Sequence, residues 1–461
     1  MDLAPSASLL ACLQQRRQRL AQHFEGPVVL WSGQAPASNF PANRFPFRAS
    51  SHFLYFAGFP LEGAAVRLWA GQLELYVDEA PPEEALWHGE MPGREALAQA
   101  MGAASAHPLA ELPQRAQGAA TVAVQDPVTH QHQASALARP VPSASAAEGP
   151  DRQLAEAIVA LRLRHDAAAI AELREAAAVA VEAHEAGMAA TPSATTEAQV
   201  RAAMEGAILG RDMRCPYRSV VTVHGHVLHN NRYRNPLQAG DLLLADVGAE
   251  TPRGWASDVT RTWPVSGRFS PTQRALYELV LHARNACLER VAPGVEYRDL
   301  HLHAATTLAQ GLVDLGILRG RAEDLVAQDA HALFFPHGVG HLVGLDVHDM
   351  EDLGDLAGYT AGRQRSDRFR LGFLRLDRPL QAGMAVTIEP GFYQVPAILN
   401  DPERRERYRD AVNWERLQQF SDVRGIRIED DVLVTEAGCE VLTADLPAQP
   451  DAIEARLAAA R

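Results

Sequence analysis

Cysteine is scarce in this sequence, and it contains neither a long apolar run nor an excess of basic residues. Four cysteines without C-x-x-C spacing are not a disulfide framework and predict reduced thiols, hence a cytoplasmic protein; they are Cys12, Cys215, Cys287 and Cys439. No stretch of about 18 apolar residues is present, so we expect no membrane span. Charge at Gln14–Arg19 also argues against a signal-peptide core near the start.

Acidic residues outnumber basic ones, 57 to 43, which gives a net charge of −14. Nucleic acids and anionic membrane surfaces bind basic patches, so neither is expected as a partner. A hydrophobic fraction of 47% with 22% charged residues is typical of a globular protein. With 461 residues the chain is longer than a domain with a single hydrophobic core usually is, so two domains are predicted.

The first part of the chain alternates helical and strand-like patterns, which predicts a mixed α/β domain. A helix is expected over Leu9–His23, and strands over Val28–Trp31, Ala65–Trp69, Leu73–Val77 and Ala120–Val124. The small, polar segment from Pro140 to Gly149 resembles a connector. We therefore predict an N-terminal domain over residues 1–150 and a second domain over residues 151–461.

The second part begins with apolar residues at helical spacing over Asp151–Met188, which predicts one or two helices with a break near Asp166. Strands framed by further helices follow and indicate an α+β domain. The predicted strands are Ser219–Val223, Asp241–Val247, Val259–Val265, Ala385–Ile388 and Gly425–Val434.

Four carboxylates fall in or beside strands that otherwise read as buried. They are Asp246, Asp258, Glu389 and Glu429. Burying an unpaired carboxylate costs several kcal/mol in practice, roughly, so each needs a cation or hydrogen-bond donors. For any one of them, a strand-end acid facing solvent or paired with arginine is the alternative. Four such strands meeting in one sheet favour a shared metal site.

Three histidines lie close together in the glycine-rich segment His337–Asp349, at His337, His341 and His348. Glycine permits close backbone approach, and a histidine beside buried carboxylates is a metal ligand or an acid–base group. Four carboxylates with an imidazole form an oxygen-dominated site that suits Mn²⁺, with Co²⁺ or Zn²⁺ as alternatives. So many acids exceed the need of one ion, so two divalent ions about 3.5–4 Å apart are predicted.

These motifs resemble those of the aminopeptidase P and prolidase family of pita-bread metallopeptidases. The resemblance rests on the segments Asp246–Gly248, Asp258–Thr262, His337–Asp349, Ile388–Gly391 and Gly425–Asp430. It extends into the first domain, where Arg44–Arg48 and His52–Phe59 are similar to the N-terminal domain of these enzymes. The resemblance implies a pita-bread catalytic domain preceded by a smaller α/β domain.

The resemblance also implies a role for each matching residue. Asp246 would hold one metal, Asp258 and Glu429 would bridge both, and His341 and Glu389 would hold the other. Glu389 would also act as general base. Substrate-site roles are implied for His229, His337, His348 and Arg375, and Arg427 is predicted to orient the Glu429 carboxylate. For Arg375 the alternative is a solvated arginine in a charged loop.

By this resemblance the chain is expected to hydrolyse the bond between an N-terminal residue and proline in peptides or dipeptides. The alternative is an inactive relative that binds peptides without cleaving them. Arg375 favours dipeptides, but the pattern leaves the length of the substrate open. A homo-oligomer, either a dimer or a tetramer, is also implied.

Overall fold

The N-terminal elements form a four-stranded sheet with helices around it. In a computed structural model, which describes residues 7–460, the elements are α1 Ala7–His23, β1 Val28–Trp31, β2 Ala37–Phe40, β3 Asn43–Arg44, α2 Ser51–Ala57, β4 Ala65–Trp69, β5 Gln72–Tyr76, α3 Glu84–His88, α4 Arg94–Met101, β6 Ser105–His107, α5 Leu112–Arg115, α6 Pro127–Leu137 and α7 Gly149–Arg162. The sheet order is β1-β4-β5-β6, and only β5 and β6 run parallel.

The predicted strand Ala120–Val124 is wrong, because side chains replace most of its ladder. Ala120 makes one bridge to Val28. Beyond it, the Gln133 amide donates to the Val122 carbonyl at 2.9 Å and accepts from the Val124 N–H at 2.9 Å. A glutamine from α6 thus satisfies backbone groups that a neighbouring strand would otherwise pair.

The remaining elements build the part of the chain that carries the acidic motifs. They are α8 Ala167–Ala190, α9 Glu197–Leu209, β7 Val220–Thr222, β8 Leu242–Asp246, β9 Thr260–Pro264, α10 Pro271–Leu288, α11 Tyr297–Asp314, α12 Ala322–Ala327, α13 Asp355–Gly358, β10 Ala385–Ile388, β11 Gly391–Tyr393, α14 Pro396–Leu399, α15 Pro402–Arg407, α16 Trp414–Gln418, β12 Gly425–Arg427, β13 Asp430–Val434, β14 Cys439–Val441 and α17 Pro450–Ala459. The break predicted near Asp166 is confirmed, since its carboxylate accepts from the Ala169 N–H at 2.9 Å at the start of α8.

The chain divides into two units. One comprises the residues up to Ile170 with Pro252–Gly254 and Met350–Ala357, and the other comprises Ala171–Thr251, Trp255–Asp349 and the residues from Gly358 onward. The domain boundary near residue 150 stays a prediction. Among the described helices, none combines the length and apolar character needed to cross a bilayer.

Three small antiparallel sheets frame the acidic motifs in the second unit: β7-β8-β9, β10-β13-β14 and β11-β12. The single strand predicted over Gly425–Val434 is in fact two, because β12 pairs with β11 whereas β13 pairs with β10. Between them, Glu429 forms a bridge with Thr260. The change of partner therefore places Glu429 where the sheets meet.

A buried arginine ties these sheets together. Arg261, on β9, forms an ion pair with Asp430 at 2.7 Å, and both side chains are fully buried. Its guanidinium also donates to the carbonyls of Glu429, at 2.6 Å, and Leu446, at 3.2 Å. The donors of the guanidinium thus meet acceptors on two other segments, as a buried charge requires.

We predict that Arg261→Met lowers the free energy of unfolding by about 3–5 kcal/mol, because Asp430 loses a buried partner. Urea denaturation of the full chain measures the change. Arg174→Met is the matched control, since Arg174 pairs with Glu440 on the surface and exposed pairs contribute about 1 kcal/mol or less. Equal losses for the two variants would contradict the role given to Arg261.

Candidate metal centre

Two of the acidic residues come from the pair of strands β8 and β9. Asp246 is the last residue of β8 and lies opposite Thr260, the first residue of β9. Asp258 precedes β9 by two residues, and its backbone N–H donates to the Asp431 carboxylate at 3.1 Å. The antiparallel pairing therefore brings together two carboxylates that a loop separates in sequence.

The two glutamates are positioned by the neighbouring sheets. Glu389 directly follows β10, and its N–H donates to the Val339 carbonyl at 2.8 Å. The Glu429 N–H donates to the Thr260 carbonyl at 3.0 Å, and its carboxylate accepts from the Thr260 hydroxyl at 2.6 Å. Hydrogen bonds of the backbone thus hold both residues in place independently of any ligand.

His341 lies in an irregular segment packed against β10. The Thr387 N–H donates to the His341 carbonyl at 2.9 Å. A Cβ on Gly340 would lie 2.3 Å from the Thr387 carbonyl oxygen and from the Tyr297 hydroxyl, a distance no side chain tolerates. The close approach expected of the glycines in this motif is thus confirmed at Gly340.

The five predicted ligands converge. Their ligand atoms form overlapping groups within which all atoms lie no more than 4.8 Å apart: Asp246 with Asp258 and Glu429, and His341 with Glu389 and Glu429. A third group joins Asp258, His341 and His348. Because these groups share members, the side chains form one continuous cluster of possible metal ligands.

The protonation of His341 suits a metal ligand. Its Nδ1 lies 2.9 Å from the Leu342 carbonyl oxygen, which only accepts, so Nδ1 carries the proton. In the neutral ring Nε2 then bears the lone pair, and it lies 3.4 Å from an Asp258 oxygen and 3.8 Å from a Glu389 oxygen. A cation between these atoms would convert their repulsion into coordination.

The pKa values of the buried carboxyl groups also indicate a site that favours cations. Burial, followed by the charges of the neighbouring acids, raises the pKa of Glu429 well above its usual value. Burial is the largest cause for Glu389 too, and its pKa rises to about 8. The pKa values of Asp246 and Asp258 are likewise raised, chiefly by burial. Nearby divalent ions oppose these shifts, because opposite charge favours the carboxylate.

One oxygen of Asp246 identifies where a cation fits. Its Oδ2 accepts from the Arg427 guanidinium, whereas its buried Oδ1 has no hydrogen-bond partner in the described part of the chain. Buried polar atoms normally have hydrogen-bond partners. A buried carboxylate oxygen that has none, beside three other acids, is therefore a candidate metal ligand. The donor set of carboxylates and one imidazole therefore fits a pair of divalent ions.

The bonds of Arg427 differ from the prediction that it orients Glu429. Its guanidinium donates to Asp246, to the Thr260 hydroxyl at 3.0 Å and to the Tyr393 hydroxyl at 3.0 Å. Thr260 in turn donates to Glu429. Regular strand pairing is interrupted between β12 and β13, so residues 427 and 429 do not lie on one regular strand. The contact of Arg427 with Glu429 instead passes through Thr260.

His337 is part of the same buried network. Its Nε2 lies 2.9 Å from the Tyr393 hydroxyl, and its Nδ1 lies 2.8 Å from the Gly338 carbonyl oxygen and 3.6 Å from Glu389. Burial, and next the charge of Arg427, lowers the pKa of His337 to about 3. A neutral imidazole therefore adjoins the acidic cluster.

A cavity of about 240 Å³ opens beside the acids, and its lining includes Tyr217, His229, Asn231, Asp246, Asp258 and His348. The rings of His348 and His341 lie 4.3 Å apart, centroid to centroid. His229 is partly exposed at the side of this cavity. The cavity thus connects the acidic cluster to solvent and is the place for a substrate.

Arg375 lies within electrostatic reach of the same space. Burial is the largest influence on the pKa of both His229 and Glu389, and the positive charge of Arg375 contributes a lowering to each. The structure therefore brings Arg375 near the other predicted site residues, rather than far out in its loop.

The sequence prediction did not include several residues that contact the acids. Tyr217 donates to Asp258 at 2.6 Å, and Thr260 and Tyr393 complete the network around Arg427. A hydroxyl that donates to a carboxylate far along the chain leaves no local pattern. Only Thr260, two residues after Asp258, was near enough in sequence to be found.

Comparisons with known proteins agree with this geometry. A model of metallopeptidase family M24 matches residues 171–436, and a model of the aminopeptidase P N-terminal domain matches residues 13–125. The chain is 30% identical to the Xaa-Pro aminopeptidase of Escherichia coli, over 97% of this chain and 98% of that protein. It is 38% identical to the human Xaa-Pro dipeptidase, over 52% of this chain and 47% of that one.

Among solved structures, aminopeptidase PepP of Pseudomonas aeruginosa is similar with a TM-score of 0.79, at 29% identity and with 99% of each chain covered. The similarity covers both the N-terminal part and the C-terminal part of the chain. The chain belongs to metallopeptidase family M24 and carries the N-terminal domain of aminopeptidase P.

Proposed function

We propose that the chain is a metallo-exopeptidase that hydrolyses the bond between an N-terminal residue and proline. The observation that carries this proposal is the convergence of four buried carboxylates and one imidazole beside an open cavity. The Xaa-Pro peptidases among its relatives support the substrate class. The inactive alternative requires lost ligands, whereas all five ligand positions here are filled.

The proposed ligands divide between two ions. Asp246 would hold one, His341 and Glu389 would hold the other, and Asp258 and Glu429 would contribute to both; the overlapping groups of ligand atoms support this division. Two divalent ions bound there would supply Lewis acidity toward the scissile carbonyl and toward a water molecule. The oxygen-rich donor set favours Mn²⁺ over Co²⁺ or Zn²⁺.

The residues of the chain itself handle protons and orientation. Glu389 accepts a proton from the attacking water and passes it to the prolyl nitrogen as the C–N bond breaks. His229 and His348 line the cavity and would stabilise negative charge on the carbonyl oxygen by hydrogen bonds. Arg427 and His337 hold the acids in place through Thr260 and Tyr393.

Arg375 is proposed to bind the C-terminal carboxylate of the substrate, which favours dipeptides. A guanidinium recognises a carboxylate through parallel hydrogen bonds, and its charge already reaches Glu389 and His229. A homo-oligomer in the cytoplasm is proposed on two grounds. The family resemblance supports the oligomer, and the four free cysteines support the compartment.

Metal binding should stabilise the fold, because it neutralises buried charge. We expect saturating Mn²⁺ to raise the melting temperature of chelator-treated protein by about 5 °C or more. Differential scanning calorimetry measures the shift, which Asp258→Asn should largely remove. Glu440→Gln, an exposed carboxylate on β14, is the control that should keep it. An identical melting temperature with and without Mn²⁺ would refute the metal site.

Replacing the general base should stop turnover without unfolding the chain. Glu389→Gln keeps the side-chain volume but cannot accept the proton, so kcat for Ala-Pro with Mn²⁺ should fall roughly 10²–10⁴-fold. Steady-state kinetics beside circular dichroism separates catalysis from folding, and Glu440→Gln again serves as control. If wild-type protein loaded with Mn²⁺ cleaves no Xaa-Pro peptide, the peptide-binding alternative is favoured.

Substrate length should depend on Arg375. We expect Ala-Pro to be cleaved faster than Ala-Pro-Ala, and Arg375→Met to raise KM for Ala-Pro roughly tenfold, by loss of one charge-assisted pair. Arg407→Met, at an exposed arginine of α15, is the control. Equal turnover of dipeptide and tripeptide, with Arg375→Met unchanged, would contradict the dipeptidase version while leaving the peptidase itself standing.

A further inference from the structure

One fully buried histidine has no part in the chemistry proposed above. His184 lies on α8, and its Nε2 is 3.1 Å from the carbonyl oxygen of Val247 and 3.1 Å from that of Val259. Carbonyl oxygens only accept hydrogen bonds, so Nε2 carries the ring proton. A single N–H is therefore shared between two backbone carbonyls.

Those two carbonyls adjoin two proposed metal ligands. Val247 follows Asp246 and Val259 follows Asp258 in the chain. The Val247 N–H also donates to the Val259 carbonyl at 3.0 Å, just past the last paired residues of β8 and β9. His184 thus binds both strands at the position where their regular ladder ends and the acidic side chains begin.

The imidazole of His184 is neutral near neutral pH. Burial, and next the charge of Arg261, lowers the pKa of His184 to about 3. Its ring is further confined by Trp263, whose ring centroid lies 6.3 Å away in an edge-on arrangement. The contact is therefore a fixed link and not a pH switch.

An apolar residue would fill this space at a lower cost in desolvation. Burying an imidazole is unfavourable unless its polar atoms are bonded, and Nδ1 of His184 has no hydrogen-bond partner among the described residues. What the histidine adds over leucine is therefore the donation to the two carbonyls.

We propose that His184 is a positioning residue for the metal centre, holding the strand ends that present Asp246 and Asp258 at the separation two ions require. The inference rests on the proposed function, because it assumes that both aspartates are ligands. Residues that orient metal ligands typically change metal affinity about 10–100-fold when they are removed. His184 acts on the backbone of the ligands and not on their side chains.

Three substitutions and a matched control test the role. His184→Leu removes the donor and keeps an apolar volume. His184→Gln places an amide N–H near the position of Nε2, whereas His184→Asn places one near Nδ1, away from the carbonyls. The control is Thr191→Val, since Thr191 accepts the buried Trp263 indole N–H at 2.9 Å just after α8. It removes one hydrogen bond between the same helix and sheet without touching a ligand-bearing residue.

Mn²⁺ affinity and stoichiometry are measured by titration of metal-free full-length protein, with free Mn²⁺ followed by electron paramagnetic resonance. Melting temperatures are measured without metal. We expect His184→Leu to weaken Mn²⁺ binding roughly tenfold, and His184→Gln to recover most of the affinity. Thr191→Val should lower the melting temperature but bind Mn²⁺ as the wild type does.

Several outcomes would overturn the proposal. It fails if His184→Leu binds two Mn²⁺ with wild-type affinity, or if Thr191→Val weakens binding as much as His184→Leu does. If the leucine variant does not fold, the Gln and Asn variants decide, and equal Mn²⁺ affinity in those two refutes the role. A wild-type chain that binds no Mn²⁺ instead refutes the metal-site assignment, and the role of His184 with it.

Discussion

Negative charge buried at one point is the constraint on which the second unit of this protein depends. Four carboxyl groups belong to overlapping groups of close ligand atoms, and burial raises the pKa of each. Such a cluster is unstable in a low-dielectric interior unless cations or donors compensate it. The sheets around it hold the backbone rigidly enough for the acids to stay together. Arg261 is part of that support, since its guanidinium bonds both Asp430 and the Glu429 carbonyl.

The acids reach one point because three different sheets end there. Asp246 ends β8, Glu389 follows β10, and Glu429 lies where the chain passes from β12 to β13. The two residues between β12 and β13 lie outside regular strand pairing, and the bridge of Glu429 to Thr260 fixes the second of them. Asp246, Glu389 and Glu429 thus lie at or next to strand ends, and their carboxylates lie in the shared cluster.

How much of this could be predicted depends on how local the signal is. The cluster of acids was predictable, because a carboxylate such as Asp246 interrupts an apolar strand and a glycine such as Gly340 marks a close approach. The strand at Ala120–Val124 was not, because Gln133 replaces its ladder from a distant helix. The roles of Tyr217 and His184 could not be predicted either. Their hydrogen-bond partners are set by tertiary contacts, and neither residue type is unusual in its own segment. Bonds to the backbone are especially hard to predict, since any residue supplies the carbonyl.

The groups that stabilise the buried acids carry little positive charge, and most of them are neutral hydrogen-bond donors. Arg427 brings one positive charge to Asp246, whereas the hydroxyl groups of Tyr217 and Thr260 donate to Asp258 and Glu429 without adding charge. His184 and His337 are neutral as well, because burial lowers the pKa of both. Neutral donors orient carboxylates but leave their charge in place, so the cluster still attracts divalent ions. More arginines at these positions would stabilise the metal-free fold and weaken metal binding at the same time. The hydroxyl and imidazole groups therefore keep the acids ordered and still available to metal.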